Sequence, residues 1–167
     1  MRRVVVTGMG TVNPLAHNVE EFWSRIKAGE SGIGPLTKFD ASAYPAQIAG
    51  EVKEFDPSTL VDRRALRSMA DFTKFAAYSA VQAMNQANLK EGSFDPHRSG
   101  VFLGNGIGGF EVVEENLAKL FEGGPSRVAP LTIPKLISNE AAGNLAILFG
   151  FKGPAHTVVT ACASGTD

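Results

Sequence analysis

Cysteine occurs once in the 167 residues, tryptophan once, tyrosine twice and histidine three times. A single thiol excludes an internal disulfide framework and fits a reducing compartment. The histidines, His17, His97 and His156, are dispersed without metal-ligand spacing, so no metal site is expected, and nothing calls for a cofactor. Neither sign of charge dominates: 16 basic against 17 acidic side chains leave a net charge of −1, which gives no support to general nucleic-acid binding. Long apolar runs are missing as well. No segment approaches the ~20 residues of a membrane-spanning helix. The three valines of MRRVVVTGMG are too few for the apolar core of a signal peptide. There is no repeat, low-complexity tract, splitting linker or G-x-x-x-x-G-K-[ST] phosphate loop. The expectation is a cytoplasmic protein that engages neither nucleic acid nor membrane.

What remains is ordinary globular usage, 44% hydrophobic and 20% charged residues, at a length that suits one domain with a real core. RVVVT at 3–7 predicts a short buried strand, because unbroken β-branched runs suit a parallel sheet covered on both faces. Asn18 predicts the cap of a helix over 19–28, with Glu20 and Glu21 in its first turn and Gly29 past its end. Residues 30–60 read as a surface excursion with a strand near 46–52. A helical stretch over 62–89 carries Ala65, Met69, Phe72, Ala76, Ala80 and Ala83 on one stripe. A strand over 101–103 enters GNGIGG, and a helix over 110–121 stops at Gly123, Gly124 and Pro125. A helical region over 133–149, broken near Gly143, precedes a last strand over 157–161. The order β-α-β-α-β-α-α-β predicts an α/β layered domain with a mainly parallel sheet and covering helices.

The one thiol, Cys162, ends that last strand in a nest of small residues, TACASG. Two readings stand at this point. A lone cysteine can be a small buried hydrophobe. Alternatively, small neighbours let the backbone turn sharply and admit a substrate to the sulfur, and a helix starting there would favour the thiolate through its N–H groups and dipole. His156, six residues earlier at the start of a strand, is carried too far back to serve as the base and reads as structural or surface. GMGTVN at 8–13 partly matches a dinucleotide fingerprint, with Asn13 in place of the third glycine, and leaves nucleotide binding as a weak alternative. GNGIGG reads as backbone that must approach something closely. Arg63, Arg64 and Arg67 form a basic cluster near a helix start, where they oppose the dipole, so the cluster is either a solvated face or a docking site.

GPAHTVVTACASGTD resembles the active-site segment of the β-ketoacyl-acyl-carrier-protein synthases, the condensing enzymes of fatty-acid synthesis. RRVVVTGMGTVNPLAHNVEEFW, DRRALRSMADFTKFA, GNGIGGFEVVEEN and GGPSRVAPLTIPKLISN are similar to further family segments, in the family's order and spacing, and the glycine-rich segments look most like the elongating type II enzymes. The resemblance implies the N-terminal half of a thiolase-like fold, a homodimer, and Cys162 as the residue acylated by the carrier-bound chain. It implies that Ile107 stands at the acyl pocket and that Thr132, Ile133 and Ile137 line that pocket from the dimer partner. It implies docking of acyl carrier protein, in its acyl and malonyl forms, on Arg64, Arg67 and Arg127. The family's catalytic histidines, lysine and gating phenylalanine belong to its second half, so residues 1–167 alone are expected to be inactive. A chain-length-factor-like partner subunit and a polyketide ketosynthase are the alternatives. Ala16 and His17 depart from the glycine and asparagine common in relatives, so that turn is expected to differ.

Overall fold

The computed structural model describes residues 3–166. Helix α1 (Val19–Lys27) starts where expected: the Asn18 side chain accepts the Glu21 N–H at 2.8 Å, with Glu20 and Glu21 in the first turn and Arg25 and Lys27 in the last. Carboxylates at the start and cations at the end complement the partial charges of the helix termini. The excursion that follows contains a small antiparallel pair, β1 (Gly34–Pro35) with β2 (Ile48–Ala49). Its strand lies inside the expected 46–52 but spans only two residues. Glu51 fastens the pair to the chain beyond β1, accepting from the Thr37 hydroxyl (2.6 Å) and from the N–H groups of Thr37 and Lys38 (2.9 and 3.0 Å).

The expected helix over 62–89 is two helices, α2 (Arg63–Leu66) and α3 (Asp71–Gln86). Ala70 between them is extended (ψ 170°), and Met69 and Ala70 are buried. Burying that apolar pair takes the chain out of helical geometry. Glu111 then accepts the first N–H of the new helix, that of Asp71, at 3.0 Å. The alanine stripe is real: Ala65, Ala76 and Ala80 pack on the core, although the residues sealed completely on α3 are Thr73 and Ala77.

Strand β3 (Val101–Gly104) and helix α4 (Phe110–Gly123) fall as the sequence predicts, with Gly124 ending the helix at φ +78°. The next helical region breaks at 137–139 and not at Gly143. Helix α5 (Thr132–Leu136) stops at extended Ile137, and α6 (Glu140–Phe149) runs straight through Gly143. The N–H of Gly109 caps the Leu136 carbonyl (2.9 Å), which satisfies one of the groups freed at the end of α5. Strand β4 (Ala155–Val158) begins and ends earlier than expected, and pairs in parallel with β3 from Val101↔Ala155 to Gly104↔Val158.

Helix α6 packs against α3 on one side and against β3 and β4 on the other. The core comprises Val61, Met69, Ala77, Val101, Ala142 and Leu145. The other face of the β3–β4 ladder is bare, with Phe102 76% exposed and its ring 5.6 Å from that of His156.

The strand expected over 3–7 is not formed among the described residues. Val4 and Val6 are 94% and 82% exposed. A β-branched run becomes a buried strand only where neighbouring strands and a covering layer receive it, and among the described residues no strand pairs with it. From Gly8 onward the chain instead lies on α3. A Cβ at Gly8 would stand 2.0 Å from the Ala83 carbonyl oxygen, and one at Gly10 would stand 1.9 Å from that of Ser79. Gln82 grips the segment by donating to the carbonyls of Thr11 and His17 (3.3 and 2.6 Å). No described helix is long and apolar enough to cross a membrane.

Candidate active site

The site begins at the last rung of the parallel ladder, where the N–H of Asn105 donates to the Val158 carbonyl at 3.0 Å. Both chains then turn. After β4, Ala161 adopts φ +53°, a left-handed conformation that costs a residue with a Cβ roughly 1 kcal/mol or more. It opens a five-residue 3₁₀ turn, Ala161–Gly165, with Cys162 exposed at its second position. Among the described residues no α-helix starts at Cys162, so the dipole that such a helix would lend the thiolate is not supplied by them. One tight turn aligns too few peptide units to build it.

Ser164 holds the turn from inside. Its buried hydroxyl accepts the Thr160 N–H at 2.8 Å and donates to the Asn105 carbonyl at 3.2 Å. That second bond spans 59 residues of sequence and brings ACASG against GNGIGG. A Cβ at Gly104 would lie 1.9 Å from the Ser164 carbonyl oxygen, so only glycine lets the two backbones meet. The close approach expected of GNGIGG is therefore made to the cysteine turn at one end and to α5 at the other. Gly108 (φ +93°) and Gly109 press against the carbonyls of Leu136 and Lys135, where added Cβ atoms would come to 2.4 and 2.6 Å.

This arrangement brings Cys162, the loop of Ile107 and the α5–α6 junction at Ile137 into one neighbourhood. Ile107 is 65% exposed on the loop. Ile133 and Ile137 also stand partly or largely in solvent. Thr132 stands on the wall of a groove shared with Met69, Lys74, Val112, Asn116 and Leu131, a groove that Cys162 does not line. Arg64 and Arg67 are exposed on and just after α2, and Arg127 is exposed at the end of a 3₁₀ turn, Pro125–Arg127. Among the described residues none of the three has an ion-pair partner.

His156 stands on the bare face of β4 against Phe102, His17 packs edge-on to Phe55 with centroids 5.3 Å apart, and His97 is exposed in a short 3₁₀ turn. The glycines of GMGTVN are accounted for by their contact with α3, and no helix starts from that loop. The members sequence reasoning missed are Asn105 and Ser164. Both sit inside quoted motifs, but their pairing is visible only in three dimensions.

The model of the family described as β-ketoacyl synthase, N-terminal domain, matches residues 1–167. The chain belongs to the β-ketoacyl synthase family. A curated relative, the 3-oxoacyl-[acyl-carrier-protein] synthase 2 of Coxiella burnetii, is 43% identical over 164 residues, which cover 98% of this chain and 40% of the relative. The chain thus spans less than half the length of that synthase. Among solved structures, the ishigamide ketosynthase/chain length factor superposes with a TM-score of 0.85 at 27% identity, over 95% of this chain and 40% of that one. A type II polyketide ketosynthase solved in complex with its acyl-carrier protein superposes with a TM-score of 0.76 at 23% identity, over 99% of this chain and 44% of that one. The synthase fold is thus the thiolase-like one, with helices over a parallel sheet, as the sequence led us to expect.

Proposed function

We propose that the chain is the N-terminal, nucleophile-bearing part of a type II 3-oxoacyl-acyl-carrier-protein synthase acting in fatty-acid elongation. The observation that carries this reading is the exposure of Cys162 on a turn whose every other feature is constrained. Ala161 is left-handed, Ser164 is buried and doubly bonded, and Gly104 permits backbone contact. A structural cysteine needs none of that. In the proposed reaction the Cys162 sulfur attacks the thioester carbonyl of acyl-acyl-carrier-protein, the new C–S bond forms, and the carrier thiol leaves with the proton. Backbone N–H groups, that of Cys162 among them, steady the tetrahedral oxyanion. Malonyl-acyl-carrier-protein then loses CO₂, its carbanion attacks the acyl-cysteine carbonyl, and Cys162 departs as the carbon–carbon bond forms. The groups that polarise the malonyl thioester belong to the part of the family's length that residues 1–167 do not span.

Ile107 borders the acyl pocket in this reading, while Thr132, Ile133 and Ile137 reach it from the second protomer of a homodimer. The exposed apolar surface of Ile133 and Ile137 suits burial by a partner. Arg64, Arg67 and Arg127, all exposed, receive the acidic carrier protein. The lone thiol suits the reducing cytoplasm in which we place the enzyme. A polyketide ketosynthase, the alternative that the family resemblance leaves open, is the second reading. A chain-length-factor-like subunit is disfavoured because Cys162 is present. The test is condensation of acyl- and malonyl-acyl-carrier-protein by the full-length polypeptide. Product two carbons longer, lost in Cys162→Ala, supports the proposal, and undiminished turnover in Cys162→Ala overturns it.

A further inference from the structure

Three pieces of the site are fastened to one residue. The N–H of Asn105 ends the β3–β4 ladder on Val158, and its carbonyl accepts the Ser164 hydroxyl. Those are main-chain bonds that another residue could keep. The side chain does something different. Its Oδ1 accepts the N–H groups of Gly108 and Ile107 at 3.2 and 3.4 Å, and its Nδ2 donates to the Ser138 carbonyl, beyond α5, at 2.9 Å. The C-terminal end of the loop is pinned independently, by Gly108 and Gly109 against α5. The tip is not: a Cβ at Gly106 would meet only the Ala161 carbonyl oxygen, at 3.9 Å, and Ile107 stands mostly in solvent. Between those two anchors, the Asn105 side chain is the group that holds the Ile107 N–H directly, at 3.4 Å.

We propose that Asn105 is a positioning residue for acyl selectivity, setting the location of the Ile107 side chain by tying its loop to Ser138. This rests on the reading of Ile107 as a pocket wall. Asn105→Asp separates the two jobs of the side chain, because a carboxylate still accepts from Gly108 and Ile107 but cannot donate to Ser138 and faces its carbonyl lone pairs. A loosened wall yields to a long acyl chain and discriminates less.

The experiment loads the full-length protein from short-chain and long-chain acyl-acyl-carrier-proteins and reads the acyl-Cys162 adducts by intact mass. Asn105→Asp should raise the long-to-short loading ratio by about fivefold, the scale of one ordinary hydrogen bond. Asn105→Ala, which carries no added charge, should move it in the same direction and covers the case in which the aspartate variant folds poorly. In an Ile107→Ala background the same Asn105 changes should shift the ratio by less than about twofold, since a missing wall cannot be mispositioned. A purely structural Asn105 would not produce that dependence. An unchanged ratio in both Asn105 variants, or an equal shift without the Ile107 side chain, overturns the inference. Ile107→Phe tests the underlying reading separately: it should block long chains and spare short ones, and equal loss of both would remove Ile107 from the pocket and this inference with it.

Discussion

At Gly104 a methyl group would sit 1.9 Å from the Ser164 carbonyl oxygen, whereas at Gly106 it would sit 3.9 Å from that of Ala161. The first is a collision with backbone that no rotamer change relieves, and the second is ordinary contact. Gly104→Ala should therefore destabilise the protein by about 1–3 kcal/mol and slow acylation of Cys162, because the turn that carries the sulfur must move. Gly106→Ala should change stability by less than about 0.5 kcal/mol in the same denaturation experiment. Equal effects of the two substitutions would mean that the loop and the cysteine turn do not meet as described. The small residues around Cys162 are visible in the sequence, but they left a buried hydrophobe and a nucleophile both open, and the family resemblance is what singled out the sulfur. Ser164 was not legible, because a serine beside a cysteine gives no sign of a hydroxyl partner 59 positions away.

Among the elements, those whose signals are local came through: the Asn18 cap of α1, the Gly124 stop of α4, and strand β3. The misplaced boundaries share a cause. The break between α2 and α3 and the one between α5 and α6 are made by burial of Met69 and Ala70 and by contact with the 104–109 loop. Neither glycine nor proline marks them, so periodicity reads through the first and guesses Gly143 for the second. The valine run at 3–7 shows the converse, a strong local preference with no strand paired to it among the described residues.

The β1–β2 pair depends on a charge. The Thr37 hydroxyl and N–H, aided by the Lys38 N–H and the Lys53 ammonium, hold the Glu51 carboxyl at about 2, below its ordinary value of 4.5. A carboxylate held lower in the folded than in the unfolded chain stabilises fully above the unfolded value, and that contribution fades as pH falls through the folded one. The melting temperature should accordingly drop between pH 4.5 and about 2, and Glu51→Gln should lower it near neutrality while flattening that acid slope. An acid slope identical in the variant would assign the loss to other groups.

Over the whole molecule, charge is nearly balanced, and Arg64, Arg67 and Arg127 are exposed and, among the described residues, have no ion-pair partner. If these receive the acidic carrier, reversing Arg64 and Arg67 to glutamate should weaken carrier binding by about tenfold, and the wild-type affinity should fall with added salt while the variant's responds less. Loading from a small carrier-free thioester should be unchanged. Carrier affinity unaltered by the double reversal would return both arginines to a solvated surface.

The role of Cys162 is open to direct measurement on the same scale. The full-length protein, incubated with acyl-acyl-carrier-protein, digested and mapped by tandem mass spectrometry, should carry one acyl group on the peptide containing Cys162, as an adduct released by neutral hydroxylamine. An acyl group on any other residue, or none from a carrier preparation that acylates a known synthase, would contradict the assignment of Cys162 as the nucleophile.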